Sequence, residues 1–245
     1  MKPANRVMVR LFALLTLSTL LVGKSFSQDL SFFRSTEQFL KAYVIAGKVD
    51  FKSLDYNSES LDSLITQIDT MALDDRSDDF KKAFYINAYN LLVIHGVLQA
   101  YPVASPLDIE GFFTERKFRV AGINLTLDEL EFKVLFNSYK DLRLHFILNC
   151  GAKSCPTLFS DAITPSELEE QLNFSTAMVM DRDDFVNIDH ANNQIKVSRI
   201  FEWYGDMFEE YGMPIRKFID HNRFETLPGS YEIVFDEYDW SLNEL

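Results

Sequence analysis

Phe80–Tyr101, FKKAFYINAYNLLVIHGVLQAY, decides how the rest of the chain is read. It is apolar on nearly every side, and a helix without a wet face belongs inside a domain. Pro102 ends it. Its polar side chains Asn87, Asn90 and His95 therefore need partners in the interior. Asn87 and Asn90 are three apart and share one face. They either tie the helix to a neighbouring loop or line a site.

Outward from this helix the elements are mixed. Residues 31–46 and 60–71 read as helices on the N-terminal side, with apolar residues near helical spacing. On the C-terminal side Lys117–Leu125 reads as a hairpin around Ala121-Gly122. Thr126 and Glu129 form a capping box, which starts a helix running to about Phe136. Leu142–Asn149, LRLHFILN, reads as a strand. Alternation would turn Arg143, His145 and Asn149 to one face and Leu142, Leu144, Phe146 and Leu148 to the other. Thr164-Pro-Ser-Glu167 is a second capping box. Residues 185–188 and 194–198 bracket a hairpin at Asn192-Asn193, 199–211 and 215–221 read as helices, and 231–235 as a last strand. Strands and helices do not alternate regularly. That order predicts an α+β fold: one domain over residues 28–245, its buried central helix packed on a mostly antiparallel sheet with helices around it.

The first 27 residues read differently. Lys2, Arg6 and Arg10 precede an apolar run, Leu11–Gly23, and Ser25-Phe26-Ser27 follows. This is the layout of a secretory signal peptide cleaved before Gln28, and the run is short for an ordinary membrane span. The expected location is periplasmic or extracellular, with no stable membrane insertion after cleavage. The 245 residues hold 24 Lys+Arg and 37 Asp+Glu, a net charge of −13. Cleavage would remove Lys2, Arg6, Arg10 and Lys24 and no acid, so the net charge becomes −17. An acidic chain without a basic stripe is a poor nucleic-acid partner.

Several chemistries have no motif here. The sequence lacks the phosphate-binding glycine loops, a GxSxG elbow, HExxH and CxxC. His145 with Cys150 and Cys155 supplies three metal-type donors and no fourth, so neither a metal nor a cofactor is expected. The two cysteines leave three readings open: a structural disulfide, inert thiols, or a catalytic thiol. In the last, Cys150 is the nucleophile, His145 its base and Asn87 the group that orients the imidazole. Asn90, Arg143, Ser154 and Cys155 are the candidate substrate contacts.

Four blocks carry a resemblance: Ala83–Asn90 (AFYINAYN), Arg143–Pro156 (RLHFILNCGAKSCP), Ser198–Tyr204 (SRIFEWY) and Tyr238–Asn243 (YDWSLN). Together they resemble the domain of unknown function 547 family. Plant-type members carry Ser in the place of Cys155 while the place of Cys150 stays Cys. The resemblance thus implies that a Cys150–Cys155 disulfide is not a family-wide feature. It marks Asn87, Asn90, Arg143 and His145 as matching the family's persistent polar positions and supplies no role for them. The functional expectation is a thiol-dependent hydrolase or acyl-transferase-like enzyme. The alternative is a non-enzymatic exported domain, either structural or binding a small molecule, peptide or glycan.

Overall fold

The computed structural model describes residues 31–245. The expected signal peptide and its cleavage point lie outside the described residues. Residues 31–43 form helix α1, followed by a minimal hairpin of β1 (Val44–Ile45) and β2 (Lys48–Val49). Helix α2 (Phe51–Tyr56) is capped by Asp50, which accepts from the Ser53 N–H at 3.0 Å. Helix α3 (Glu59–Thr70) leads to α4 (Asp78–Leu98), capped by Ser77. As expected from its composition, α4 is buried along most of its length.

The α+β class holds, but the strands do not gather into one sheet beneath α4. They form three small ones: β1–β2, then β3 (Phe118–Val120) with β4 (Ile123–Leu125), then β5 (Val186–Asp189), β6 (Gln194–Val197) and β7 (Glu232–Phe235). In the last sheet β5 and β6 are antiparallel, while β6 and β7 are parallel. The neighbours of α4 are helical: α2, α3 and a π-helix at Glu129–Phe136. That π-helix starts on the expected capping box. Glu129 N–H donates to Thr126 Oγ1 at 3.1 Å, and the Glu129 carboxylate accepts from Thr126 N–H at 3.0 Å. It continues as α5 (Asn137–Tyr139).

The main correction falls on residues 142–149. Leu142–Phe146 is a 3-10 helix, not a strand. Asp141 caps it, accepting from Arg143 N–H at 3.0 Å. The alternation of polar and apolar residues was not a two-faced pattern. Leu142, Leu144, His145, Phe146, Ile147, Leu148 and Asn149 are all buried, so only Arg143 of the segment reaches solvent. It lies between two apolar clusters. Leu144, Ile147 and Leu148 pack with α4, and Leu142 and Phe146 pack with the three-stranded sheet. The second expected capping box starts its helix late: α6 runs Leu168–Met180, and Thr164 N–H is satisfied instead by Gln171 Oε1 at 2.9 Å. Helices α7 (Ile200–Trp203), α8 (Gly205–Glu210) and α9 (Ile215–Asn222) complete the fold. Among the described residues no helix is long and apolar enough to cross a membrane.

Candidate functional site: an aromatic cleft around Glu131

A cavity of about 290 Å³ opens where the two apolar clusters meet. Tyr89 of α4, Phe113 and His145 form part of its wall, and three further segments supply most of the rest. The π-helix and the residue that precedes it supply Asp128, Glu131 and Phe132, the loop after the 3-10 helix supplies Leu148, Cys150 and Cys155, and the C-terminal third supplies Trp203, Tyr204, Tyr238 and Trp240. Among the described residues lining it, none is Lys or Arg.

The rings form a continuous wall. Trp203, Tyr238 and Trp240 lie within 4.8–5.8 Å of one another, centroid to centroid. Trp203 is 43% exposed, so the wall reaches solvent. Tyr238 and Trp240 sit on a C-terminal segment laced over the 150–155 loop. Lys153 N–H donates to Ser241 O, Ser154 N–H to Asp239 O, and Asp239 N–H to Ser154 Oγ at 2.8 Å. Ser154, expected to touch substrate, does not line the cleft and instead holds the segment that carries two of the rings.

Glu131 is the unusual group. It is 8% exposed, and burial is the main reason its carboxyl is pushed up to about 7. The nearby Asp128 charge adds to the rise, and a hydrogen bond from the Tyr89 hydroxyl opposes it. Asp128 is also raised by burial. A carboxyl poised to exchange a proton near neutral pH, inside an apolar cleft, is what acid–base chemistry and ligand-linked protonation use. The π-helix brings it there. Asn137 N–H bonds back to Phe132 O, five residues away, and such widened turns recur at functional sites. A sequence signal for Glu131 existed: it lies four residues from both Leu127 and Leu135, on the helix's apolar stripe.

The proposed catalytic residues are not all brought together. Cys150 and His145 both line the cleft, but among the described residues no hydrogen bond joins them. Cys150 is bonded to Cys155 in a disulfide and holds no free thiol in this state. His145 is stacked between Phe136 and Tyr204, each ring centroid 4.1 Å away. Its Nε2–H points at Met207 Sδ at 3.3 Å, and burial drives its pKa down to about 3. Asn87 is elsewhere. Its amide donates to Ala83 O and Ile163 O, both at 2.7 Å, and its Oδ1 accepts from Ile163 N–H. It clamps α4 to the 163 loop.

The proposed contacts divide in the same way. Asn90 donates to Ile147 O and accepts from Asn149 N–H, tying α4 to the segment that leads into the cysteine loop. Asn149 in turn accepts from Gly151 N–H and donates to Pro156 O. Arg143 points away from the cleft. It pairs with Asp141 at 2.6 Å and Glu169 at 2.9 Å, beside a separate hollow of about 470 Å³. The Asp141 carboxylate also holds the buried Lys82 at 2.6 Å. The Arg143 guanidinium and Lys82 ammonium keep that carboxyl below its ordinary value against the opposing effect of burial.

Among the described residues no group of three or more His, Cys, Asp or Glu side chains is placed to hold a metal ion. Residues 73–178 match the family described as Protein of unknown function, DUF547. The matched segment contains Glu131, His145 and both cysteines; Trp203, Tyr238 and Trp240 lie beyond it. No curated protein and no solved structure matches the chain.

Proposed function

We propose that this chain, which carries a domain of unknown function 547 segment over residues 73–178, is an exported binding protein for a small neutral saccharide. The ring stacks on the Trp203–Tyr238–Trp240 wall, and the Glu131 carboxyl hydrogen-bonds a ligand hydroxyl. The observation that carries this reading is the Glu131 carboxyl, enclosed by aromatic side chains and pushed up to about 7.

Three features support the ligand class. A cavity of about 290 Å³ sits at the small end of the roughly 300–1,000 Å³ usual for ligand pockets, so it suits one or two rings. Trp and Tyr faces lining a cleft pack against apolar ring faces, while carboxyl groups take up hydroxyl hydrogen bonds. The absence of Lys and Arg from the described lining, with two acidic groups present, disfavours phosphorylated or carboxylated ligands. Export rests on residues 1–27; N-terminal sequencing of the secreted form should begin at Gln28, and a retained Met1 in the membrane fraction would contradict it.

The test is a thermal-shift series with neutral methyl glycosides and disaccharides, with sugar phosphates as the charged comparison. A ligand at a hundredfold excess over its Kd adds about 2.7 kcal/mol, which raises Tm by about 5–10 °C in a chain of this size. The expected result is such a rise for at least one neutral sugar, lost in Trp240→Ala. No rise with any neutral sugar, or an equal rise with sugar phosphates, overturns the reading. A hydrolase using Cys150 as nucleophile would first need its disulfide opened.

A further inference from the structure

The two sulfurs of the cleft are not equivalent. Cys150 is half-buried, whereas Cys155 is 4% exposed. Hydrogen-bond donors converge on Cys155. Its Sγ accepts from the Cys150 N–H at 2.9 Å and from the Tyr238 hydroxyl at 3.2 Å. The same hydroxyl lies 3.4 Å from Cys150 Sγ, so it spans the bond and can follow charge as it moves. Tyr238 is a dependable donor, because burial pushes its hydroxyl far above the ordinary range. The Arg182 guanidinium is close to the same cysteine, donating to Cys155 O at 3.5 Å and to Thr157 Oγ1 at 2.9 Å. A structural disulfide needs no donors on its sulfurs and no cavity beside it.

We propose that the Cys150–Cys155 bond is a thiol–disulfide exchange site for an uncharged or cationic small thiol that enters the cleft, with Cys150 the attacked sulfur and Cys155 the leaving one. A thiolate RS⁻ forms a bond to Cys150 Sγ as the Cys150–Cys155 bond breaks. The electron pair passes to Cys155 Sγ, where the Cys150 N–H and Tyr238 O–H hold the thiolate. The products are the mixed disulfide R–S–S–Cys150 and the Cys155 thiolate. A second RS⁻ attacks the R sulfur, releasing RSSR and the Cys150 thiolate. In sum, two RSH are oxidised to RSSR, and the protein disulfide takes up two electrons and two protons. The charge preference follows from Asp128 and Glu131, the acidic side chains of the cleft lining, which itself holds no Lys or Arg; Arg182 reaches Cys155 from outside that lining.

The probe is cysteamine, applied briefly to the native full chain, followed by iodoacetamide and peptide mapping by mass spectrometry. The expected early product carries cysteamine on Cys150 and carbamidomethyl on Cys155. Tyr238→Phe, checked for its fold by circular dichroism, should open about fivefold more slowly, since it removes one hydrogen bond to the leaving thiolate. The anionic thiol 3-mercaptopropionate should lag cysteamine by more than it does on a free peptide holding the same 150–155 disulfide. A bond that yields only after unfolding in guanidinium, an adduct on Cys155, or no difference between the two thiols overturns the proposal. Should Tyr238→Phe fail to fold, adduct mapping in the unaltered chain decides alone.

Discussion

Glu131→Gln should stabilise the protein at pH 8 and leave it unchanged at pH 4. The Glu131 carboxyl has an ordinary value of 4.5 and sits at about 7 in the folded state, with burial as the main cause. Below pH 4.5 the group is protonated in both states and contributes nothing. Between 4.5 and 7 the folded state holds a proton that the unfolded chain has released, so stability falls as pH rises through this window. Above 7 the full penalty applies, about 3 kcal/mol at roughly 1.4 kcal/mol per tenfold change in equilibrium. Gln removes the charge and keeps a carbonyl oxygen for the Tyr89 hydroxyl. The assay is urea unfolding of both proteins at pH steps from 4 to 9, read as the difference in midpoint at constant slope. Titrating groups that do not interact with Glu131 cancel in that difference, and Tyr89, Tyr204 and Tyr238, which do, titrate above the range scanned. A gain for the variant that grows from nothing to about 3 kcal/mol across pH 4.5–7 is the expected result. A difference that is flat with pH, or a variant less stable at pH 8, refutes the picture of a carboxyl held in the cleft at the expense of stability.

Other consequences follow from the geometry. Asn90→Leu leaves Asn149 N–H and Ile147 O without their buried partner and should cost about 2–4 kcal/mol in urea unfolding; a loss below 1 kcal/mol would mean that the tie does not matter. Gly151→Ala should cost about 1–3 kcal/mol, because its φ is +86° and a Cβ would stand 3.2 Å from Pro106 Cγ and 3.3 Å from Val93 Cγ1. The His145 ring, watched by NMR, should stay neutral until the pH approaches about 3; a titration near 6.5 would place it in water rather than between Phe136 and Tyr204.

The sequence was most legible where one local rule acts alone. The all-round apolar character of 80–101 announced a buried helix, and the Thr126–Glu129 box announced a helix start; both stand. The hairpins at 121–122 and 192–193 stand as well. Legibility failed where two rules compete. Residues 142–149 alternate like a strand, yet Asp141 caps a 3-10 turn there, and its carboxylate is itself fixed by Lys82 from a helix 59 residues earlier. No local pattern reports that tie. The site was legible only in part for the same reason. Two of the three residues proposed for catalysis, Cys150 and His145, do share a cavity, because His145 lies in the short segment between the two apolar clusters and Cys150 directly follows it. Asn87 cannot orient His145, because its amide is spent on the 163 loop. Glu131 is hard to see in the sequence because the capping box points to Glu129, and a lone Glu between Leu127 and Leu135 does not interrupt an otherwise apolar stripe.

The chain has two tryptophans, Trp203 and Trp240, and both line the cleft, so its tryptophan fluorescence reports on that cavity. Titration of the full chain at pH 7 with the neutral methyl glycosides is therefore the most direct measurement of the central claim. At least one should give a saturable change in emission that is abolished in Glu131→Ala. A saturable response that survives in Glu131→Ala, or no response to any neutral glycoside, contradicts it.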